Sequence, residues 1–334
     1  MAVIEDPRTA PSLRWGVLGP GKIAHRFARE ALAHTSQVIT AVGSRSRERA
    51  EAFAREHSIP RVHVDYRALV EDPEVDVVYI ATPHSEHRAN ALLAIEAGKS
   101  VLVEKPLTRN AAEAREVFDA ASDAGVFAME AMWARFLPHV VEIQEAVARG
   151  VVGDVVALWA DHGQMLDLGP THRLLDPALA GGAILDLGVY PISFAHLLLG
   201  VPQSVRAVGQ LTETGVDGHA TLVLQYGPRT QAVVDTTLWS PTACTAWVGG
   251  TEGRLEVERT FYAPSSFRIT RLDGTTWSYD GRVPGGFQYQ IAEAARCVAQ
   301  GEFESSMRSH RDTLEVMAIM DEARAQLGVV YPGE

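Results

Sequence analysis

The chain has 334 residues, 46% of them hydrophobic and 22% charged, with a net charge of −12 at pH 7. That length exceeds one ordinary core and predicts two domains, and the composition is that of a folded soluble protein. The acidic balance argues against a nucleic-acid partner or an anionic membrane surface.

Cys244 and Cys297 lie far apart, with neither metal-ligand spacing nor a disulfide framework, so a reducing, cytoplasmic setting is expected. Residues 1–13 carry Glu5, Asp6, Pro7 and Pro11 and do not form a signal-peptide apolar region. The most apolar stretch, 184–201, contains Asp186, Pro191 and His196. It reads as a buried helix pair rather than a membrane span.

From the start, short apolar runs alternate with helical patterns. Strands are predicted over 14–18, 37–42, 62–64, 75–81 and 101–104. Helices are predicted over 23–33, 47–56, 66–71, 85–97 and 111–124, with Gly98 and Gly125 ending the last two. This alternation predicts a doubly wound parallel sheet with helices on both faces. The pattern then changes. A helix is predicted over 138–149, a strand over 151–163 and a helical segment over 181–200. Strands follow over 204–212, 219–226, 231–238, 245–248, 254–258 and 267–271, and helices over 287–300 and 311–327. The second half reads as an open, largely antiparallel sheet covered by helices on one face. The expected division is a dinucleotide-binding domain over 1–130 and a substrate-binding and dimerisation domain over 131–334.

Gly19-Pro20-Gly21-Lys22-Ile23-Ala24 is a Gly-x-Gly-x-x-Ala turn between a strand and a helix. Gly19 and Gly21 let the backbone approach a pyrophosphate, and Lys22 and Ile23 open a helix whose N–H groups and dipole favour the anion. A carboxylate at the end of the second strand would bind a ribose 2′-hydroxyl and repel a 2′-phosphate. Here the residues are Val42-Gly43-Ser44-Arg45-Ser46-Arg47. Ser44 can donate a hydrogen bond, Arg45 can grip a phosphate with two, and Arg49 adds charge one turn on. NADP is therefore favoured over NAD; the plainer reading is a solvated helix start.

Lys105 is one of only three lysines among thirty basic residues. Lysine, unlike arginine, is a compact charge with a movable pKa. The fourth strand ends in Thr82-Pro83-His84-Ser85-Glu86-His87 and the fifth delivers Glu104-Lys105-Pro106 to the same carboxyl edge, where open α/β sheets bind ligands. Lys105 is expected to face the nicotinamide, with Thr82 and Glu104 among the cofactor contacts; alternatively it is a surface lysine paired with Glu104. His84 and His87 have poor metal spacing and no third ligand, so no metal is expected. They read as helix-capping or ribose-contacting groups. In Gly181-Gly182-Ala183-Ile184-Leu185-Asp186-Leu187-Gly188-Val189-Tyr190-Pro191, Asp186 and Tyr190 share a face if the segment is helical. An acid in so apolar a run is buried or functional; the plainer reading has Asp186 capping a helix restarted at Pro191 and Tyr190 in the core. Trp133, Arg135 and Phe136 either wall the nicotinamide or pack between domains. The polar segment 161–173, with His162, His172 and Arg173, is the candidate for substrate selection.

The glycine turn, Glu104-Lys105-Pro106 and the Gly-Gly-(x)3-Asp-(x)3-Tyr segment together resemble the Gfo/Idh/MocA oxidoreductases, over nearly the whole chain. Tyr190, where many members carry histidine, and Ala131-Met132-Trp133-Ala134-Arg135-Phe136-Leu137-Pro138 resemble the dihydrodiol and NADP-dependent xylose dehydrogenase branch. The resemblance implies hydride transfer between nicotinamide C4 and a carbinol carbon of a cyclic sugar, polyol or vicinal diol. It also implies a homodimer or higher oligomer through the second domain's sheet. A free phenol titrates near ~10, and an ammonium at ~4 Å in an effective dielectric of ~20 supplies the roughly 4 kcal/mol that lowers it by about three units. Either Tyr190, beside Lys105, accepts the alcohol proton, or Lys105 relays it while Tyr190 orients the substrate. Asp186 would hold a substrate hydroxyl or fix Lys105. The rival readings are a non-catalytic NADP-binding sensor or scaffold and a redox-assisted glycosidase with tightly held NAD.

Overall fold

Short apolar strands begin the chain: β1 (Arg14–Leu18), β2 (Val38–Gly43), β3 (Arg61–His63), β4 (Val77–Ile80), β5 (Ser100–Glu104) and β6 (Ala128–Ala131). Between them lie α1 (Lys22–His34), α2 (Arg47–His57), α3 (Tyr66–Val70), α4 (His84–Glu96) and α5 (Ala111–Ala124). In the computed structural model, which describes residues 4–166, 169 and 171–334, these strands form a parallel sheet in the order β3-β2-β1-β4-β5-β6. β4 and β5 are buried along their whole length, as a sheet covered on both faces requires. Local chemistry sets the helix ends. Ser46, Asp65 and Asn110 cap α2, α3 and α5 through their side chains, and Gly125 ends α5 at φ 66°.

Further on come α6 (Pro138–Ala148), β7 (Val155–Gly163), α7 (Val189–Leu199), β8 (Ser204–Leu211), β9 (Asp217–Gln225), β10 (Gln231–Thr237), β11 (Ala246–Gly250), β12 (Gly253–Val257), β13 (Ser266–Arg271) and β14 (Thr276–Asp280). The eight strands pair in the order β14-β13-β12-β11-β7-β10-β9-β8, antiparallel throughout except β7 with β10. β9 alternates buried and half-buried residues, the signature of a sheet with one covered face. The apolar segment Pro177–Leu199 is long enough to span a membrane, yet 72% of its window is buried: it is a core element. Within it, Ile184–Gly188 forms a π-helical turn that passes into α7. The α-helix restarts at Val189 rather than at Pro191, with no side-chain cap from Asp186, and Pro191 lies in its first turn, where a residue without an N–H is tolerated.

The chain divides into two units. The first is Glu5–Trp133 with Gly285–Leu314, and the second is built from Ala134–Pro284 and Glu315–Glu334. The first unit runs on to Trp133, and residues 285–314 cluster with it rather than with the segment that follows Trp133. The last helices are α8 (Phe287–Gln300) and α9 (His310–Leu327). α8 packs its buried stripe on α1, and Glu30 of α1 accepts the Phe287 N–H at 2.6 Å. Phe303 and His310 bind the backbone of Ala128 in β6, which ties the returning segment to the first sheet. A helical pattern announces that a helix will pack, not against which sheet. β6 and β14 were not foreseen; both are short, and neither alternates clearly.

Candidate active site

In the first unit the carboxyl edge of the sheet collects the predicted cofactor residues. Gly19 has φ 84°, and a Cβ there would lie 3.0 Å from the Ala81 carbonyl oxygen, so only glycine suits the turn. Gly21 opens α1, no side chain caps it, and a Cβ on it would meet no atom within 4 Å. The first-turn N–H groups thus have no side-chain cap and the space beside Gly21 is open, as an anion site at a helix N-terminus requires. Ala24 is fully buried, which allows close helix–strand packing. Lys22 is exposed and Ile23 half-buried at the mouth of this turn. Ser44 is buried, and its Oγ accepts the Ser46 N–H at 3.1 Å. Arg45 and Arg49 are exposed, and the Tyr66 phenol lies beside Arg45. No carboxylate stands at the end of β2.

Thr82 abuts the glycine turn, 3.0 Å from the Cβ that Gly19 lacks, and its Oγ1 accepts from Asn90 at 3.0 Å. His87 corrects an expectation. It is fully buried, with Nε2 2.8 Å from the Thr82 carbonyl and Nδ1 3.0 Å from that of Pro106. Enclosed between these two carbonyls, to one of which the neutral ring can donate, it packs between two loops and has no exposed face for a ribose. Burial holds its pKa below the ordinary value. His84, the first residue of α4, is 5% exposed and packs edge-on against His87.

Glu104 ends β5. Its carboxylate takes the Tyr79 hydroxyl and, at 3.3 Å, the Lys105 N–H. Burial pushes its pKa up to about 7, against the opposing pull of the Tyr79 hydrogen bond and the Lys105 charge. Lys105 follows, half-buried, joined to Pro106 by a cis peptide. Trp133 is 2% exposed; its ring tilts against Phe287 at 5.1 Å, and Arg26 lies 4.3 Å from both rings. These contacts lie within the first unit and are those of a packing residue.

The second unit holds a separate polar cluster. Asp186, in the π-helical turn, accepts from Arg173 at 3.0 Å. Two residues the sequence placed in different roles thus form one ion pair, with Asp186 buried and Arg173 exposed. Tyr190 is 9% exposed in the first turn of α7. Its ring stacks on Tyr262 with centroids 4.2 Å apart, and His162 lies 5.4 Å from Tyr190 and 4.3 Å from Tyr262. His162 is buried; Gln164 donates to its Nε2 at 2.9 Å, so the proton sits on Nδ1, 3.2 Å from the Leu187 carbonyl. His172 is spent on the backbone, where its Nδ1 accepts the Leu174 N–H at 3.2 Å. Residues 167, 168 and 170 of the proposed substrate-selecting segment lie outside the described residues. Arg135 is buried in this unit.

Several residues of these clusters escaped the sequence reading. Tyr262 carries no pattern that marks its partner. Asp217 is fully buried and accepts the Ile184 N–H at 2.6 Å, which anchors the start of the π-helical turn. Glu130, an acid within Ala128-Met129-Glu130-Ala131-Met132, showed the same signal that drew attention to Asp186, an acid in an apolar run.

A parallel sheet with a glycine turn before its first helix, and a lysine and a near-neutral carboxyl at its ligand edge, defines a dinucleotide-dependent oxidoreductase. Residues 13–132 match the oxidoreductase family with an NAD-binding Rossmann fold, and residues 140–256 match the GFO/IDH/MocA C-terminal domain. The chain belongs to the Gfo/Idh/MocA family. It is 38% identical to a trans-1,2-dihydrobenzene-1,2-diol dehydrogenase of Danio rerio, covering 96% of this chain and 98% of that one. It is 32% identical to a D-xylose 1-dehydrogenase (NADP(+)) of Hypocrea jecorina, over 96% and 93%. A 3-ketoreductase of Actinomadura kijaniata, solved with NADP and TDP-benzene, superposes with a TM-score of 0.83 at 27% identity over 95% and 98% of the two chains. An aldose-aldose oxidoreductase of Caulobacter crescentus gives 0.84 at 26% identity over 94% and 98%.

Proposed function

We propose that the chain is an NADP-dependent dehydrogenase acting on a carbinol of a cyclic sugar, polyol or vicinal diol. The observation that carries this reading is the carboxyl edge of the first sheet. There an open glycine turn, an acid-free end of β2 with Ser44 and Arg45, and Lys105 share one edge. The names of the relatives, which act on diols, xylose and other sugars, supply the substrate class.

Gly19, Gly21 and the first turn of α1 would hold the pyrophosphate, and Ser44 and Arg45 the 2′-phosphate. When bound, the nicotinamide supplies the hydride acceptor. Lys105 either supplies positive charge at this edge or relays the alcohol proton, and it stands beside Glu104, whose pKa burial pushes up to about 7. Tyr190 offers the phenol that orients the substrate or accepts its proton, and Arg173 with Asp186 offers donors and acceptors for further hydroxyls. Purified protein mixed with NADP and a panel of pyranoses, inositols and trans-diols is expected to form NADPH with at least one substrate, and more efficiently than with NAD. Failure to bind NADP and to reduce it with any member would overturn the reading.

A homodimer through the open face of the eight-stranded sheet accompanies this proposal. Trp159 and Trp247 stand opposite each other there, 40% and 39% exposed, the kind of apolar patch that marks an interface. Sedimentation of Trp247→Glu should then give a smaller species than the parent chain. A cytoplasmic setting is part of the same proposal and accords with two free, buried cysteines.

A further inference from the structure

We infer that Glu130 is a positioning residue for the loop that carries Lys105, and that Arg308 holds Glu130 in that role; the inference rests on the proposed part of Lys105 in catalysis. β6 runs parallel to β5, with Glu130 opposite Val103 and Ala131 opposite Glu104. The chain therefore leaves the sheet at Lys105, and Glu130 of the neighbouring strand catches it two residues later. Its Oε1 accepts the Leu107 N–H at 3.0 Å. Its other oxygen, Oε2, takes Nε of Arg308 at 3.0 Å, Nη2 of the same side chain, and the Thr313 hydroxyl at 3.4 Å. The side chains of Glu130 and Arg308 have no exposed surface at all.

Such a pair is not an obvious source of stability. Removing two charges from water is costly, and a well-packed apolar pair of similar volume often does as well. What an apolar pair does not supply is an acceptor for the Leu107 N–H, nor a fork that fixes the direction of that acceptor. Two further ties on the loop are His87 at the Pro106 carbonyl and Glu104 at the Lys105 N–H. Of these three, Glu104 belongs to the loop's own strand and His87 to α4, whereas Glu130 stands on an edge strand laced by the returning segment. The lysine's position thus depends on residues 285–314, almost two hundred residues away in sequence.

Two double variants separate positioning from bulk stability. Glu130→Gln with Arg308→Met is neutral and keeps an oxygen for Leu107. Glu130→Leu with Arg308→Met is also neutral and lacks it. The glutamine pair is expected to keep kcat within about threefold of the parent, and the leucine pair to lose roughly tenfold or more, with the NADP Kd of both within about threefold. In a Lys105→Met background, assayed at high enzyme concentration, the loss caused by the leucine pair should vanish, since residues acting through one another are not additive. Equal kcat for the two pairs, or a loss of the same size with Lys105→Met, overturns the inference while leaving the role of Lys105 standing. A Lys105→Met enzyme with the parent's kcat removes the reading beneath it. If the leucine pair does not fold, Arg308→Lys decides: it keeps the charge but loses the fork, and an unchanged kcat in it contradicts the inference.

Discussion

Tyr262 stacks on Tyr190, centroids 4.2 Å apart and planes 23° from parallel, although 72 residues separate them in the chain. Such a pair contributes about 0.5–1.5 kcal/mol beyond its buried area and fixes the plane of the phenol. Tyr190→Phe keeps the stack and loses the hydroxyl, so kcat should fall by roughly a hundredfold with the melting temperature unchanged within about 2 °C. Tyr262→Leu keeps the hydroxyl and loses the stack, with an expected fall of about five- to tenfold. Steady-state kinetics with a fixed substrate checks both, and a Tyr190→Phe enzyme at parental kcat would remove the phenol from the chemistry.

Gly21 separates folding from cofactor binding. Its φ of −91° suits alanine, and the added methyl meets no atom within 4 Å. Gly21→Ala should melt within about 2 °C of the parent while NADP binds roughly tenfold or more weakly, because the methyl would occupy the space proposed for the pyrophosphate. Fluorescence titration with NADPH and a thermal melt read the two effects separately. Undiminished affinity would place the dinucleotide elsewhere.

Ser44→Asp tests cofactor choice. A carboxylate at the end of β2 repels a 2′-phosphate and accepts from a 2′-hydroxyl. The ratio of kcat/KM for NADP over NAD should drop by about 10- to 100-fold, the scale of one or two charged hydrogen bonds. A ratio that does not move contradicts the assignment of Ser44 and Arg45 to the phosphate.

Asp217 gives a pH signature. Burial pushes its pKa up to about 7 from an ordinary value of 3.8. An acid whose folded pKa is raised binds more protons folded than unfolded between those two values, so its contribution to stability is present below about pH 4 and is lost as the pH rises toward 7. The amide that Asp217→Asn puts in its place has no such titration. Glu104 shifts in the same direction and His139 in the opposite sense, but both are common to the two proteins being compared. Urea unfolding should show Asp217→Asn close to the parent at pH 4 and more stable than it by a few kcal/mol, on the order of 2–4, at pH 8. A difference that does not change with pH would show that the carboxylate is not strained by burial.

Much of the first unit was legible because its signals are local. A strand, a glycine turn and a helix are adjacent in sequence, and the carboxyl edge of a parallel sheet follows from strand direction alone. Lys105, Thr82 and the acid-free end of β2 were found in that way. His87 was misread because spacing reports that a histidine lies near a loop, not that its ring is buried between two carbonyls. Trp133 was ambiguous for a related reason: an aromatic residue in an apolar run looks the same whether it faces a ligand or a guanidinium. The pairs Asp186 with Arg173, Tyr190 with Tyr262 and Glu130 with Arg308 are contacts across 13, 72 and 178 residues. No periodicity encodes them; they follow from which strand lies next to which.

Lys105→Arg bears most directly on the chemistry assigned to this edge. Arginine keeps the charge but cannot release a proton and places its charge farther out on a planar fork. We expect kcat to fall by roughly a hundredfold or more while the NADP Kd stays within about threefold. A Lys105→Arg enzyme with the parent's kcat would show that no lysine ammonium takes part, and the assignment of the reaction to this edge of the sheet would be wrong.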